Sequence, residues 1–269
     1  MSETQPNQKA SRRSGRKERM ALRAAKPDVH PCPPGQPGGA YKPLSETDLQ
    51  SIFETALRLL EELGMGEVPD NLAQTLLASG ATDNGKGRFL LPRALVQDAI
   101  DQASKVFTLH GRDERRSIVV GGDAVHFGTG GAAVQTLDMT DGLYRPSTLA
   151  DLHDFTRLQD TLENVSWFTR CCVATDVPDN FDLDVNTVYA LLANTTKPVA
   201  TSFTLAEHVD PIVEMLDIAS GGPGRFAERP FVKAHISPVI SPMRFGEDAV
   251  DVVSKCLEHR IRISNITSA

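Results

Sequence analysis

Four apolar segments in the second half of the chain begin near residues 165, 198, 231 and 261, so they recur about every thirty residues. Each has the length and composition of a buried strand, and a stretch with helical spacing of apolar residues separates it from the next. Short apolar strands that alternate with helices predict βαβ units, in which the strands run parallel in one sheet. The predicted strands are 165–174, 198–203, 231–236 and 261–266, and the predicted helices are 147–162, 181–194, 206–219 and 247–259.

Two architectures repeat the βαβ unit, the doubly wound sheet and the eightfold barrel. The chain ends on a predicted strand, and an apolar strand left open at a sheet edge favours aggregation. Four regular units after an initial hairpin are also fewer than a closed barrel requires. We therefore expect an α/β fold, a partial TIM (β/α)8 barrel that is the N-terminal portion of a truncated barrel, preceded by a helical region. The expected divisions are a basic, Pro/Gly-rich tail and loop at 1–43, the helical region at 44–116 and the first part of the barrel at 117–269.

Helix signals divide the region before the barrel. Ser45 is a predicted N-cap, with acidic residues in the following turn, and Gly64 is predicted to end that helix. A second helix is predicted from Asp70 to Ser79, and a third begins at Pro92 as its first helical residue and ends near Lys105. The prolines and glycines of residues 30–39 exclude regular structure there.

The segment Gly128-Thr129-Gly130-Gly131-Ala132-Ala133 imitates the dinucleotide-binding fingerprint. That fingerprint binds a pyrophosphate only where a helix N-terminus follows at once. Here residues 134–137 continue as a strand toward an Asp141-Gly142 turn, a hairpin signal. The pattern therefore favours a tight glycine turn at the mouth of the barrel over nicotinamide binding.

Polar side chains arrive where the predicted parallel strands end, which is the edge that carries the chemistry in barrel enzymes. His235 is the strongest candidate, although a histidine whose ring is satisfied by neighbouring backbone is an equally good interpretation. Trp167 and nearby aromatic residues could form a pocket for an ammonium group by cation–π attraction, or could be core residues. The polar candidates are Thr169, Arg170, Asp176, Ser202, Thr204, His235, Ser237, Asn265 and Thr267.

Composition and charge exclude several classes of protein. No apolar run approaches the roughly 18–20 residues that span a bilayer, and the N-terminus lacks the apolar segment of a secretory signal. We therefore expect no membrane partner. The four cysteines form no Cys-x-x-Cys pair, so we expect no metal site and a reducing compartment, the cytoplasm. Residues 1–26 carry a net charge of +6 and the remainder −13, a distribution that argues against a nucleic-acid partner. The basic tail is interpreted as a flexible or subunit-contact arm, with a transit peptide as the alternative.

Four segments, taken in order along nearly the whole chain, resemble the trimethylamine:corrinoid methyltransferase family, which includes betaine-type homologues without pyrrolysine. They are Arg12-Arg13-Ser14-Gly15-Arg16, Phe107-Thr108-Leu109-His110-Gly111-Arg112-Asp113, Phe127-Gly128-Thr129-Gly130-Gly131 and Ile236-Ser237-Pro238. The resemblance implies an α/β barrel that moves a methyl group from the nitrogen of trimethylamine or a betaine to the cobalt of a corrinoid. It implies that a separate corrinoid protein carries this cofactor and that the full-length enzyme is a homo-oligomer. Asp151-Leu152-His153 begins a cobalamin motif, but no glycine follows at the required distance.

In such an enzyme we expect catalytic roles for His235 and Asn265. The substrate-binding residues expected are Arg170, Ser202, Ser237, Thr129 and Gly130. Arg170 is the candidate partner for a substrate carboxylate, because a guanidinium pairs with a carboxylate through two hydrogen bonds.

Two further interpretations stay open at this point. The chain could be part of an unrelated TIM-barrel lyase or hydrolase, in which Lys233 would be the candidate for a Schiff base. It could also be an inactive fragment of a barrel enzyme, whose missing strands leave no complete site.

Overall fold

The computed structural model describes residues 35–265, together with Gly15 and Met20. The remainder of the predicted tail up to residue 34, and the end of the last predicted strand at 266–269, lie outside the described residues. Within them, no helix combines the length and apolar character needed to cross a membrane.

A curled, five-stranded parallel sheet forms the centre of the fold. Its neighbours follow the order of the chain, from the first strand at one edge to the last at the other. The four strands predicted from their thirty-residue spacing are all present. The fifth, Phe127–Gly128, overlaps the start of the segment that was interpreted as a glycine turn. The strands are β8 (Phe127–Gly128), β11 (Val165–Thr169), β12 (Val199–Thr201), β13 (Val232–Ile236) and β16 (Arg262–Asn265).

The helices between these strands pack against one face of the sheet. Leu152, Leu191, Ile212 and Cys256, one from each of the four long helices, are fully buried in a single core with the alternate strand residues. A doubly wound sheet would reverse its strand order and bear helices on both faces, whereas sequential order with the helices on one face is the winding of a barrel. Closure into eight strands remains a prediction. The helices are α4 (Leu149–Asp160), α5 (Asn180–Asn194), α6 (Val209–Ser220, after a 3-10 turn Ala206–His208), α7 (Arg225–Glu228) and α8 (Glu247–Glu258).

The region before the barrel contains the predicted helices and a second sheet. The first helix begins after Ser45, its predicted N-cap, whose side chain forms a capping box with Asp48. The last turn of this helix widens to a π-helix before Gly64. Pro92 is the N-cap of the third helix rather than its first helical residue. The elements are α1 (Glu46–Arg58), α2 (Asp70–Ala78), α3 (Arg93–Gln102), β2 (Met65–Gly66), β3 (Thr82–Asp83) and β4 (Arg88–Leu90).

This second sheet joins the region before the barrel to the loop that leaves β13. Strands β14 (Val239–Ile240) and β15 (Arg244–Phe245) form a hairpin, and β15 pairs in parallel with β2. Arg88 stabilises this joint between β2 and β15, because its guanidinium donates to the carbonyls of Leu63, Gly64 and Met243. The N-terminal region is thereby attached beside the carboxyl end of β13.

Shorter antiparallel pairs complete the described structure. The predicted hairpin around Asp141-Gly142 is present, and a second hairpin lies against the inner, helix-free face of the parallel sheet. The prediction that residues 30–39 lack regular structure is wrong at Gln36–Pro37, which pair with residues 124–125 because a two-residue edge bridge tolerates proline. These elements are β1 (Gln36–Pro37), β5 (Val106–Leu109), β6 (Ile118–Gly121), β7 (Ala124–Val125), β9 (Gln135–Leu137) and β10 (Tyr144–Pro146).

Candidate functional site

Side-chain alternation along β13 separates two sets of residues. Val232, Ala234 and Ile236 are buried in the core shared with the helices. Lys233 and His235 are half-buried, and because successive side chains point to opposite faces they lie on the inner face. The inner face is therefore the polar side of this strand.

Trp167 of β11 links these two residues into one cluster. The Nζ atom of Lys233 lies 4.0 Å from the centroid of the indole ring, and the His235 ring meets the indole edge-on at 6.0 Å. Two small residues make room for the indole. A Cβ at Gly128 would lie 2.0 Å from the Cε2 atom of Trp167, so only glycine fits beside the ring. The strand β12 lies between the strands of Trp167 and Lys233, and its inner-face residue is the short Ala200.

Burial sets the protonation of this cluster. Burial first, and the charge of Lys233 second, lower the pKa of His235 to about 4, so the imidazole is neutral at pH 7. Burial also lowers the pKa of Lys233. The Nε2 atom of His235 is buried and has no hydrogen-bond partner among the described residues. The backbone-satisfied interpretation of this histidine therefore fails for Nε2.

The structure does not bring Asn265 together with His235. In the register of β13 and β16, Ser264 pairs with His235, whereas Asn265 pairs with Ile236. Ile236 faces the helices, so alternation places Asn265 on the opposite face from His235. Both lie near the carboxyl edge, but they do not share a pocket.

Arg170 follows the last residue of β11 and is half-buried. It makes no ion pair or side-chain hydrogen bond within residues 35–265. Burial lowers the pKa of its guanidinium, and the negative charge of Asp184 opposes that effect. Arg170 is thus an unpaired cation beside the helices, close to Asp184 rather than to the Trp167 cluster.

The remaining predicted substrate-binding residues lie mostly in loops, where they make local contacts. Thr129 donates its hydroxyl to the carbonyl of Thr169 and accepts the backbone N–H of the same residue, so it extends the pairing of β8 with β11. Gly130 is exposed and contacts nothing where a Cβ would stand. Ser237 donates to the carbonyl of Val239 at 3.2 Å in the turn that leaves β13. Ser202 follows β12 and is half-buried.

A buried network at the carboxyl end of β12 includes Thr204, a predicted polar candidate, and two residues that the sequence did not indicate, Asp184 and His208. Asp184 of α5 is 1% exposed, and its Oδ2 atom accepts from the Thr204 backbone N–H at 2.7 Å and from Nδ1 of His208 at 2.8 Å. Its Oδ1 atom has no partner in the described part of the chain. An aspartate inside an apolar helix was the available signal, because a buried carboxylate needs hydrogen-bond donors. The network holds the loop after β12 against α5.

Local structure explains the partial matches to the cobalamin motif and to the dinucleotide-binding fingerprint. The Asp151 carboxylate caps α4 and pairs with Arg145 through both oxygens, at 2.7 and 2.8 Å. His153 lies in the same helix against Asn194. In the glycine segment the backbone N–H of Ala132 donates to the carbonyl of Arg170, and no helix begins there. Within residues 35–265, no three His, Cys, Asp or Glu side chains group closely enough to hold a metal ion.

Comparison with known proteins gives one consistent family. A family model described as trimethylamine methyltransferase matches residues 12–267. A trimethylamine methyltransferase of Desulfitobacterium hafniense is 26% identical over 210 residues, which are 78% of this chain and 42% of the relative. A glycine betaine methyltransferase from another strain of that species is 28% identical over 208 residues, 77% of this chain and 43% of the relative. A trimethylamine methyltransferase of Methanosarcina barkeri is 25% identical over 226 residues, 82% of this chain and 46% of the relative. The chain thus spans less than half the length of these relatives.

Proposed function

The chain belongs to the trimethylamine methyltransferase family, and we propose on this premise that the protein takes part in removing a methyl group from a methylated amine. The observation that carries the proposal is the family match from residue 12 to residue 267, which includes the whole parallel sheet. Because the relatives are more than twice as long as the matched part, the activity is proposed for the protein as a whole.

The chemistry required is an in-line displacement at a methyl carbon. The bond from carbon to nitrogen breaks, its electron pair stays on nitrogen, and the carbon forms a bond to the acceptor. A quaternary amine then departs as a neutral tertiary amine and needs no proton. The protein's task is to hold the cation in line with the acceptor and to exclude water.

We assign the amine to the inner face of the sheet near His235 and Trp167. The neutral imidazole adds no positive charge beside a cationic substrate. The indole of Trp167 and the short inner-face residues Gly128 and Ala200 contribute apolar atoms to the adjoining surface, beside the Lys233 ammonium. Asn265 has no place in this arrangement unless the strand register changes, so the catalytic proposal rests on His235.

The proposed methyl acceptor is the cobalt of a corrinoid carried by a partner protein, a strongly nucleophilic metal when reduced. The residues described here do not fit a resident corrinoid, since Asp151 caps a helix and His153 contacts Asn194. The partner would therefore approach the carboxyl edge of the sheet, where barrel enzymes have their active sites.

We propose a carboxylate-bearing quaternary amine of the betaine type as substrate. The assignment rests on the betaine methyltransferase among the relatives and on the sequence prediction for Arg170. The unpaired guanidinium of Arg170 lies close to Asp184 rather than to the Trp167 cluster, so it has to turn toward that cluster to bind the carboxylate. We predict that Arg170→Ala raises KM for glycine betaine about tenfold or more, as expected for a lost charge-assisted hydrogen-bond pair. An unchanged KM for betaine would remove Arg170 from the site.

Methyl transfer itself can be tested with the full-length protein, its corrinoid partner and a reductant. Glycine betaine and trimethylamine are supplied in parallel, and dimethylglycine and dimethylamine are measured. We expect dimethylglycine to form, and we expect His235→Phe, which keeps the ring volume, to reduce its rate. Absence of demethylation from both amines, with the partner protein shown to be reduced, would contradict the proposal.

A further inference from the structure

A cavity of about 340 Å³ lies between the inner face of the parallel sheet and the β5–β6 hairpin. The hairpin contributes an apolar wall that includes Phe107, Leu109 and Val120. The sheet contributes Trp167 and the two cations Lys233 and Arg262. No carboxylate is among the residues that line this cavity.

The two cations are neighbours in the sheet. Lys233 of β13 is the register partner of Arg262 of β16. The Lys233 ammonium lies over the Trp167 ring at 4.0 Å, and the Arg262 guanidinium lies 5.5 Å from the centroid of the Phe107 ring. Each cation therefore contacts an aromatic face, which offsets only part of the energy lost when a charge leaves water.

Neither cation has an acidic partner in the described part of the chain. Residues 35–265 contain no ion pair that involves Lys233 or Arg262, and the Nε atom of Arg262 is buried without a hydrogen-bond partner. His126, another lining residue, donates from Nε2 to the Val119 carbonyl at 2.9 Å, and its Nδ1 atom is buried and unpaired. Adjacent like charges repel each other, so an anion between them would relieve the repulsion and accept their N–H groups.

We propose that this cavity is a binding site for a small oxyanion, a carboxylate or a phosphate, held by Lys233 and Arg262. The site lies toward the amino-terminal end of the strands, since Arg262 is the first residue of β16 and Lys233 the second of β13. The amine site proposed above adjoins it toward the carboxyl end of the same face, and Trp167 lies between the two sites. The inference thus goes beyond methyl transfer and does not depend on it.

Trp167 makes binding directly measurable, because it is the only tryptophan of the chain and the Lys233 ammonium rests on its ring. Its fluorescence is followed while sodium butyrate or inorganic phosphate replaces chloride at constant ionic strength. Butyramide, the neutral counterpart of butyrate, is titrated in parallel. We expect a saturable change with butyrate, phosphate or both, and none with chloride or butyramide. The butyrate and phosphate arms distinguish the two sources of the oxyanion.

Three variants complete the test. Lys233→Met keeps an unbranched chain over the indole, and Arg262→Gln keeps a polar group beside Phe107. We expect each to raise the apparent Kd about tenfold or more, the effect of losing a charged hydrogen-bond donor. Lys86→Met, at an exposed lysine in a surface turn, is the control and should bind as the wild type does.

The proposal is overturned if neither anion changes the fluorescence beyond chloride, or if butyramide acts like butyrate. It is also overturned if Arg262→Gln and Lys233→Met, each with a cooperative thermal transition, bind as tightly as the wild type. No amine or methyl acceptor is present in these titrations. Failure here would therefore leave the methyl-transfer proposal untouched, and failure of methyl transfer would leave this site untouched.

Discussion

At the scale of single residues, His235 shows how a half-buried position changes the chemistry of a side chain. On the inner face of β13 it is next to a lysine, and its Nε2 atom has no hydrogen-bond partner among the described residues. The folded chain therefore disfavours the imidazolium, while the unfolded chain retains an ordinary histidine. The same residue type at the surface, His259, instead contacts Asp210 at 2.6 Å. Environment, rather than residue type, marks His235 as the functional candidate.

The lowered pKa of His235 predicts a dependence of stability on pH. The unfolded state binds a proton near pH 6.5 and the folded state only near pH 4, so the free energy of unfolding should fall as pH drops from about 6.5 toward 4. Since one pKa unit corresponds to about 1.4 kcal/mol and the residue is partly exposed, we expect a loss of about 1–2 kcal/mol. Urea unfolding at pH 7.5, 6 and 5 should show a steeper decline for the wild type than for His235→Gln. His259→Gln is the control, and parallel profiles for the wild type and His235→Gln would contradict the prediction.

Substitution of Gly128 should change both stability and tryptophan emission. A methyl group at this position would lie 2.0 Å from the Trp167 ring, so Gly128→Ala must displace the indole from Lys233. We expect a loss of about 1–3 kcal/mol, as for other overpacked sites, and a shift in tryptophan emission. Gly130→Ala is the matched control, because open space surrounds that position. Equal stability and equal emission in the two variants would show that the indole has room to move.

At the scale of elements, the helix boundaries were predictable because the capping residues are local signals. Ser45, the predicted N-cap of α1, and Thr148, in the segment predicted to open α4, both form capping boxes. The two-residue strands β8 and β2 carry no such signal, since their partners are distant in the chain. The candidate site, too, was predictable only in part. Alternation indicates that Lys233 and His235 share a face, but only the register of β16 shows that Asn265 does not.

Asp151 links the helix α4 to the hairpin before it, and the strength of this link should depend on pH. Its carboxylate caps the helix and pairs with Arg145, and these interactions lower its pKa to about 2. The stabilisation is thus complete above the unfolded-state pKa of 3.8 and is lost as pH falls toward 2. Asp151→Asn should cost about 1–2 kcal/mol at pH 7, and this deficit should shrink below pH 4. Asp154→Asn, in an exposed ion pair on the same helix, should cost less than about 0.5 kcal/mol. Urea unfolding measures both, and a deficit for Asp151→Asn that does not shrink with falling pH would reject the assignment.

At the scale of the whole molecule, the winding of the chain decides what the inner face can do. Sequential strand order, with the helices between the strands packed on the outer face, leaves the inner face free of these helices. The β5–β6 hairpin lies against it, together with Ala124 and His126, and this contact forms the cationic cavity at the amino-terminal end. The carboxyl end is bordered instead by the loop that joins β13 to the N-terminal sheet. The two ends of one sheet face therefore offer different chemistry.

Arg88 tests how firmly the N-terminal region is attached at that carboxyl end. Its guanidinium bridges the carbonyls of Gly64 and Met243, at 2.7 and 2.9 Å, across the joint between β2 and β15. Arg88→Met keeps the aliphatic length but removes the guanidinium that donates to both carbonyls, so the joint should open more often while the helical core of the barrel stays intact. We expect amide hydrogen exchange to accelerate about tenfold or more at Gly66, whose N–H donates to Met243, since losing hydrogen bonds from a charged donor costs about 1.5–3 kcal/mol.

Mass-spectrometric exchange of peptides covering residues 60–70 and 239–246 measures this opening, and peptides from α5 report on the core. Arg93→Met removes an arginine of the same region whose partner is an exposed glutamate, and it should leave exchange at the joint unchanged. If Arg88→Met speeds exchange in α5 as much as at the joint, the N-terminal region and the sheet unfold as one cooperative unit. In that case the border of the carboxyl end is part of the barrel's core, rather than an attachment held by one arginine.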